Sequence, residues 1–594
     1  MWILPLLAAC AHRSTVAPVL PDEPLDRGER SVASAGVISP VLASALDAHW
    51  EASLRRNPEW ATAVGDHRFD DQLSDASEAA ERAWTQRVGR LELELVMMPD
   101  ELLPARDRLT RDLLLDELRA EQARRVCRFP EWNLSARSNE LVSLNDLVEH
   151  APLGSPTEVD RLLVRLEAFG PRIDVVTERL RQGLAAGRVS NRQSVERVLA
   201  MLDEALASPV EDWQPVVAVV EAAPDRSERA RAALVDGVIP ALERYRDLLR
   251  DEILPAATTG DRVGLGSMPD GEACYAALIH EHTTLSGVGP QDLHQTGLDE
   301  LERIHAEMRE LGQRVLGTSA LAEIIGRLRD DPSLRFSTAD EVRSTAEGAL
   351  RRAEAAVPEW IGIVPTTPCG VDVVPEYLAP YTTIAWYEPM SPDRPGTYFV
   401  NTWRPETRPR FEAEVLAFHE SVPGHHLQIA VAQEAGDLPA FRRYGGATAF
   451  VEGWALYVER LADEMGLYSS DLDRLGMLSF DTWRASRLVV DTGIHAMGWS
   501  REQAEAFLLE NTALSRDNVS NEVDRYVTWP GQALAYKTGQ LRISALRAEA
   551  EAALGDAFDP RAFHAAILGE GAVSLPVLDR QIERWIEERQ DDAL

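Results

Sequence analysis

A proline and a glycine, Pro423 and Gly424, sit in the middle of the stretch FEAEVLAFHESVPGHHLQ (residues 411–428), whose flanks otherwise have the texture of a helix. Proline lacks the N–H that a helix interior needs, and glycine admits dihedrals that other residues avoid, so the helix must break or widen here. The break falls among three histidines, His419, His425 and His426, and one glutamate, Glu420, although only 13 histidines are spread over all 594 residues. Any fold of this chain has to place a helix interruption inside its most chemically loaded segment.

His-Glu followed by a further His on a helix is similar to the HExxH zinc motif, in which two imidazoles one turn apart bind the metal and the Glu serves as base. Position 423, where the second His belongs, is Pro. If Pro423-Gly424 is extruded as an insertion of two, His425 falls at the fifth position of the motif. In an undisturbed helix His426 shares the face of His419 but lies two turns away, about 10 Å, too far for one ion. His425 is therefore the favoured second ligand, with His426 as the alternate or as a transition-state donor. Glu420, about 100° around the helix from His419, can flank the same bound water.

A catalytic zinc wants a third protein ligand and an open position. Glu452, in the run Phe450-Val451-Glu452-Gly453-Trp454-Ala455-Leu456-Tyr457 on the next expected helix, supplies it, and Tyr457 and Glu459 are placed to line the same cleft. In WRASRLVVDTGIH the residues Arg484, Arg487, Asp491 and His495 recur at helical spacing; buried in a cleft, Asp491 could hold a ligand histidine through its second nitrogen, and on a surface the four would form an ion-pair ladder. Hydrolysis at a metal builds an oxyanion that benefits from a fixed phenol or cation. Tyr536 and Tyr526 are candidates for the phenol, and Lys537 or Arg525 for the cation or for holding a substrate carboxylate. Lys537 stands out as the single lysine among 61 basic residues. His280-Glu281-His282 reads as partly exposed helix surface, since imidazoles two apart on a helix do not converge.

Around these motifs the chain is mainly helical. Leu102–Arg124, Val159–Leu184, Ser194–Leu206, Arg229–Ile253 and Pro290–Leu316 repeat apolar residues at three- and four-residue spacings, Ser337 with Asp340 starts a helix running toward Val357, and Ser500 with Gln503 caps another. Between about residues 364 and 403 the texture turns Pro-rich, aromatic and β-branched, and Thr382–Tyr387 and Thr397–Thr402 are expected strands, either aligning an extended peptide or simply covering the helix. The net charge of −36 disfavours nucleic acid and anionic lipid. Cys10, Cys127, Cys274 and Cys369 are far apart, indicating neither a disulfide framework nor a structural zinc module. Leu7-Ala8-Ala9-Cys10 resembles a lipobox. Residues 1–9 then read as a lipoprotein signal peptide, 10–38 as lipidation site and tether, and 39–594 as the catalytic domain, with an N-terminal helical half (about 39–360) and a metal-binding half (about 361–594). The expected location is the bacterial cell envelope, as a periplasmic lipoprotein touching the membrane only through Cys10.

His419 to His426, Glu452-Gly453-Trp454-Ala455, Asp491-Thr492-Gly493-Ile494-His495 and Pro530-Gly531-Gln532-Ala533 with Tyr536-Lys537 together resemble the bacterial domain-of-unknown-function 885 family. That family looks like a distant relative of carboxypeptidase Taq and other helical zinc peptidases whose third ligand is a Glu. The resemblance implies a large helical fold split by a deep cleft, with a small sheet beside the metal-binding helix. The expected activity is a Zn2+-dependent hydrolysis of peptide bonds in short peptides, with His419, His425 and Glu452 on the metal, a metal-bound water activated by Glu420, and Tyr536, Lys537 and His426 assisting. A metal-dependent amidase or esterase on a small amide or ester, and a non-catalytic periplasmic binding lipoprotein, are the alternatives; activity assays on peptides against small amides, and metal content, separate them.

Overall fold

The structure, a computed structural model, describes residues 31–374, 379, 385–390 and 395–592. The apolar N-terminus with Cys10, most of the expected tether and the start of the first expected strand lie outside these residues. The described chain is mainly α-helical with one small sheet, as the periodicity predicts. Among the described residues no helix is long and apolar enough to cross a membrane.

The chain divides into two compact units, residues 38–275 and residues 276 onward together with 34–37, so the expected division near residue 360 falls inside the second unit. In the first unit the core gathers Leu162, Leu166, Phe169, Leu242 and Tyr245 from helices Pro156–Ala185 and Ile239–Leu248. The long helix starts on a full capping box, Ser155 with Glu158, which satisfies two backbone N–H groups that the first turn leaves open. The segment expected as one helix over Arg229–Ile253 contains two π-helical turns, Leu234–Val238 and Leu249–Ile253. Each lies just before a proline, Pro240 or Pro255, whose missing N–H leaves a carbonyl one turn back without its usual partner.

Cys127 and Cys274 form a disulfide within this unit, 147 residues apart in sequence, which corrects the expectation of unpaired cysteines. Spacing along a chain cannot show a pairing that the tertiary fold creates. Replacing both by Ser is expected to lower the stability of the protein by about 2–5 kcal/mol, because an open chain has more entropy to lose on folding. An unchanged urea midpoint for the double variant would show that the cross-link carries no stability.

The second unit holds the motifs. The elements that frame them are α1 (Pro290–Val315), α2 (Ala339–Trp360), β1 (Gly370–Val373), β2 (Ala385–Glu388), β3 (Thr397–Val400), α3 (Ala413–Glu420), α4 (His425–Glu434), α5 (Thr448–Glu464), α6 (Asp471–Ala496), α7 (Arg516–Thr528) and α8 (Ala535–Leu554), among further helices. The sheet order is β1-β3-β2, with β1 parallel and β2 antiparallel to β3. Strand β1 was not expected from the sequence; β3 is the expected second strand, two residues shorter. The edge strand β2 packs against α3.

Helices α1 and α6 form one long contact, and Leu301, Ile304 and Met308 of α1 join Phe411, Val415, Phe480 and Val489 in a common core. The other long contact, α5 on α8, is made backbone to backbone: a Cβ on Gly453 would lie 2.5 Å from Gly539, and one on Gly539 would lie 1.8 Å from the Ala449 carbonyl. Real Cβ atoms do not approach so closely, so a glycine in each helix permits the crossing. The crossing sets Glu452, next to Gly453, near Tyr536, three residues before Gly539.

Candidate metal centre

Helix α3 ends at Glu420 and α4 begins at His425, so the chain does break at the four residues Ser421 to Gly424, with a cis peptide bond before Pro423. Gly424 packs directly on the end of α3; a Cβ there would lie 1.9 Å from the His419 carbonyl oxygen. Trp454 of α5 donates its indole N–H to the Pro423 carbonyl at 2.9 Å, which satisfies a carbonyl freed by the break and anchors the turn to the helix carrying Glu452. The turn doubles the chain back, bringing the His425 ring to 4.7 Å from that of His419.

Three donor atoms converge. His419 Nε2 is 3.9 Å, and His425 Nε2 3.5 Å, from Oε2 of Glu452, and the ligand atoms of all three residues lie within 4.8 Å of one another. The orientation of His419 is set by Glu459, whose Oε1 meets Nδ1 at 2.8 Å. Ionised, Glu459 holds the ring proton on Nδ1 and leaves the Nε2 lone pair facing Glu452, against burial that pushes the Glu459 pKa up to about 8. Burial, then His425, pushes the pKa of His419 well below the usual histidine value, so that lone pair persists. Glu452 Oε2 is buried with no hydrogen-bond partner. A proton on His425 or a bound cation can hold these donor atoms together, and two imidazoles with a carboxylate converging in a buried site fit a divalent metal.

Protons redistribute around this triad. Burial opposes the charged form of His425, but the Glu452 carboxylate outweighs it and the pKa rises; the same pairing outweighs burial at Glu452 and lowers its pKa. Glu420, beside His419 and partly buried, is pushed up to about 7 chiefly by burial, with His425 opposing and Glu452 reinforcing the rise. The backbone N–H of Tyr387 on β2 hydrogen-bonds its carboxylate.

Tyr536 reaches the centre from α8. Glu522 binds Arg525 at 2.9 Å, Arg525 Nη1 donates to Gln532 Oε1 at 2.6 Å, and Gln532 Nε2 donates to the Tyr536 hydroxyl at 3.3 Å. A guanidinium only donates, so the Gln532 amide must turn its oxygen to Arg525 and its NH2 to Tyr536. The phenol accepts there, leaving its own proton to be donated elsewhere, and it lies near Glu452, whose pKa it helps to lower.

Other residues singled out in the sequence stand elsewhere. Lys537 Nζ is fully buried and engaged by Asp481, by Gln540 at 2.5 Å and by Glu300 at 3.6 Å, away from the donor triad. Burial alone would raise the Asp481 pKa, but Lys537 and Arg460 hold it well below the carboxylate range. The Lys537 ammonium is a compact charge that Asp481, Gln540 and Glu300 share. His426 faces away from Glu452: its Nε2 donates to the Thr367 carbonyl at 3.1 Å, so its Nδ1 accepts from the Tyr387 hydroxyl, also at 3.1 Å, and it ties α4 to the sheet. Arg525 is committed to Glu522 and Gln532, and Tyr526 to Glu522 at 2.7 Å.

Asp491 does not hold a ligand histidine; it accepts the N–H of Gly531 at 3.1 Å and fixes the Pro530-Gly531-Gln532 turn. His495 hydrogen-bonds the Tyr526 carbonyl at 3.0 Å, and with Arg484, Arg487 and Asp491 it is buried, so no surface ladder exists. Tyr457 pairs with His564 at 2.8 Å. His282 is buried against the Trp529 ring rather than exposed. Along the sequence Glu459 has only a cleft-lining place and Trp454 no role of its own, although Glu459 lies two turns after Glu452 on the same helix face. Glu459→Gln is expected to weaken metal binding by about 10–100-fold. Competition against a chromogenic chelator measures this, and an unchanged affinity would remove Glu459 from the site.

The profile of the family described as "Bacterial protein of unknown function (DUF885)" matches residues 58–582. No curated protein matches the chain. "The crystal structure of the putative lipoprotein from Colwellia psychrerythraea" is similar over 93% of this chain and 100% of that one, at 25% identity and a TM-score of 0.86. "A putative lipoprotein of unknown function from Shewanella oneidensis" covers 92% of this chain and 100% of its own at 19% identity and a TM-score of 0.70, a likeness of fold alone. With the profile matched across most of its length, the chain belongs to the bacterial DUF885 family, whose function is unknown.

Proposed function

We propose that this protein is a zinc-dependent hydrolase of peptide bonds in short peptides. The observation that carries the reading is the convergence of two imidazoles and a carboxylate without a hydrogen-bonding partner for the shared oxygen, with a second, burial-raised carboxylate beside them. His419, His425 and Glu452 hold the metal. When bound, it supplies a Lewis acid and lowers the pKa of water. Glu420 takes the proton of the attacking water and returns it to the leaving amine. Tyr536, its hydroxyl oriented by Gln532, donates a hydrogen bond to the carbonyl oxygen as it gains charge. Glu459 keeps His419 in the ligating tautomer. The descriptions of the Colwellia and Shewanella proteins, the Cys127–Cys274 disulfide and the Leu7-Ala8-Ala9-Cys10 motif support a lipoprotein facing the oxidising periplasm.

The test is digestion of a mixed peptide library by the purified protein, with products read by mass spectrometry, before and after chelation and zinc restoration. Cleavage that chelation abolishes and zinc restores is the expected result; no cleavage by the zinc-loaded protein would overturn the reading.

A further inference from the structure

Two arginines beside the centre are buried with too few partners. Arg484 and Arg487 are each 4% exposed, one turn apart on the inner face of α6. Arg487 reaches the Tyr526 hydroxyl and Glu522, each at 3.2 Å, and its Nη1 has no partner. Arg484 leaves both Nε and Nη1 without a hydrogen bond. Ring faces also hold the guanidinium groups: Arg484 lies 4.0 Å from the Trp483 ring and 4.5 Å from Phe480, and Arg487 lies 4.5 Å from Trp483 and 4.3 Å from Tyr536.

Their position is fixed by their neighbours. One turn before Arg484, Asp481 binds Lys537 and Arg460; one turn after it, Arg487 stacks on Tyr536. Lys537 and Tyr536 are adjacent on α8, and Arg460 is adjacent to Glu459 on α5, so Arg484 lies between the Tyr536 and Glu459 sides of the centre. Glu459 acts on Arg484 through space, but its charge leaves the Nε and Nη1 donors of Arg484 unfilled. That carboxylate is already bonded to His419, and Arg484 makes no hydrogen bond to it. Two guanidinium groups packed this closely on aromatic faces repel each other, and buried N–H donors without acceptors are costly. An anion with two acceptor oxygens answers both, because the guanidinium fork matches a carboxylate bidentately.

We propose that Arg484, with Arg487 beside it, forms a subsite for a substrate carboxylate close to the scissile bond. This rests on the peptide-hydrolase reading and narrows its substrate class. The carboxylate is either the C-terminal one of a short peptide or that of an acidic side chain.

Three versions of one short peptide separate these: the free acid, the C-terminal amide with neutral side chains, and the amide carrying a Glu next to the cleaved bond. The zinc-loaded wild type is expected to hydrolyse the first or the third with kcat/KM about 100-fold above the neutral amide, the size of losing a charge-assisted pair. Arg484→Met is expected to erase that preference, and Arg484→Lys to restore only part of it. Binding to Glu420→Gln, followed calorimetrically without turnover, is expected to show the same ranking. If the wild type cleaves all three peptides alike, the subsite is wrong while the hydrolase reading stands. If it cleaves none, the hydrolase reading falls, and the binding ranking alone then decides the subsite: equal or absent binding of the three overturns it. A loss of activity in Arg484→Met that is equal on all three peptides also overturns it, marking a packing role.

Discussion

Glu420→Gln is expected to lower kcat on peptide substrates by about 100- to 10,000-fold, the usual contribution of a positioned acid–base group, while leaving the metal bound. The amide is nearly isosteric, so packing at the end of α3 is preserved; what is lost is the oxygen that can take a proton. Glu420 is not among the three converging donors, which is why metal content should hold. The backbone N–H of Tyr387 still has a carbonyl oxygen to bond in the variant, so its geometry survives. Single-turnover rates with metal analysis on the same preparation check this. Equal turnover by the variant and the wild type would remove Glu420 from the chemistry, and loss of metal would move it into the ligand set.

The second large effect separates two adjacent histidines. His425→Ala is expected to lose stoichiometric zinc and with it all activity, because two remaining donors do not make a tight site. His426→Ala is expected to keep its zinc, since both ring nitrogens of His426 are engaged by Thr367 and Tyr387. Its cost falls on the docking of β2 against α4, and because the Tyr387 backbone also touches Glu420, a moderate loss of kcat is the expected outcome. Metal stoichiometry after dialysis distinguishes the two. Retention of zinc by His425→Ala with loss in His426→Ala would invert the assignment.

These contrasts show how much of the site can be read along the chain. The interruption at Pro423-Gly424 is a local matter of a missing N–H and a missing Cβ, so its presence, and the choice of His425 over His426, follow from the spacing. The helices follow from three- and four-residue apolar periodicity for the same reason. What could not be read is where helices meet. Gly453 looks like a weak spot in a helix until Gly539 is seen against it, and Trp454 looks like core until its indole reaches the Pro423 carbonyl. Asp491 carries the right chemistry to orient a histidine, yet the fold gives it the Gly531 turn, and Glu459 takes the histidine. Lys537 draws notice by its rarity, but its ammonium is taken up by the buried Asp481, by Gln540 and by Glu300. The Cys127–Cys274 pair spans 147 residues, beyond any sequence-local signal.

One metal ion is expected to sit among His419, His425 and Glu452. Anomalous diffraction at the zinc edge, on crystals of the protein purified without added chelator, tests it most directly. A single anomalous peak bridging His419 Nε2, His425 Nε2 and the Glu452 carboxylate is the predicted result. No peak there after zinc supplementation, or a peak centred on His426, would contradict it.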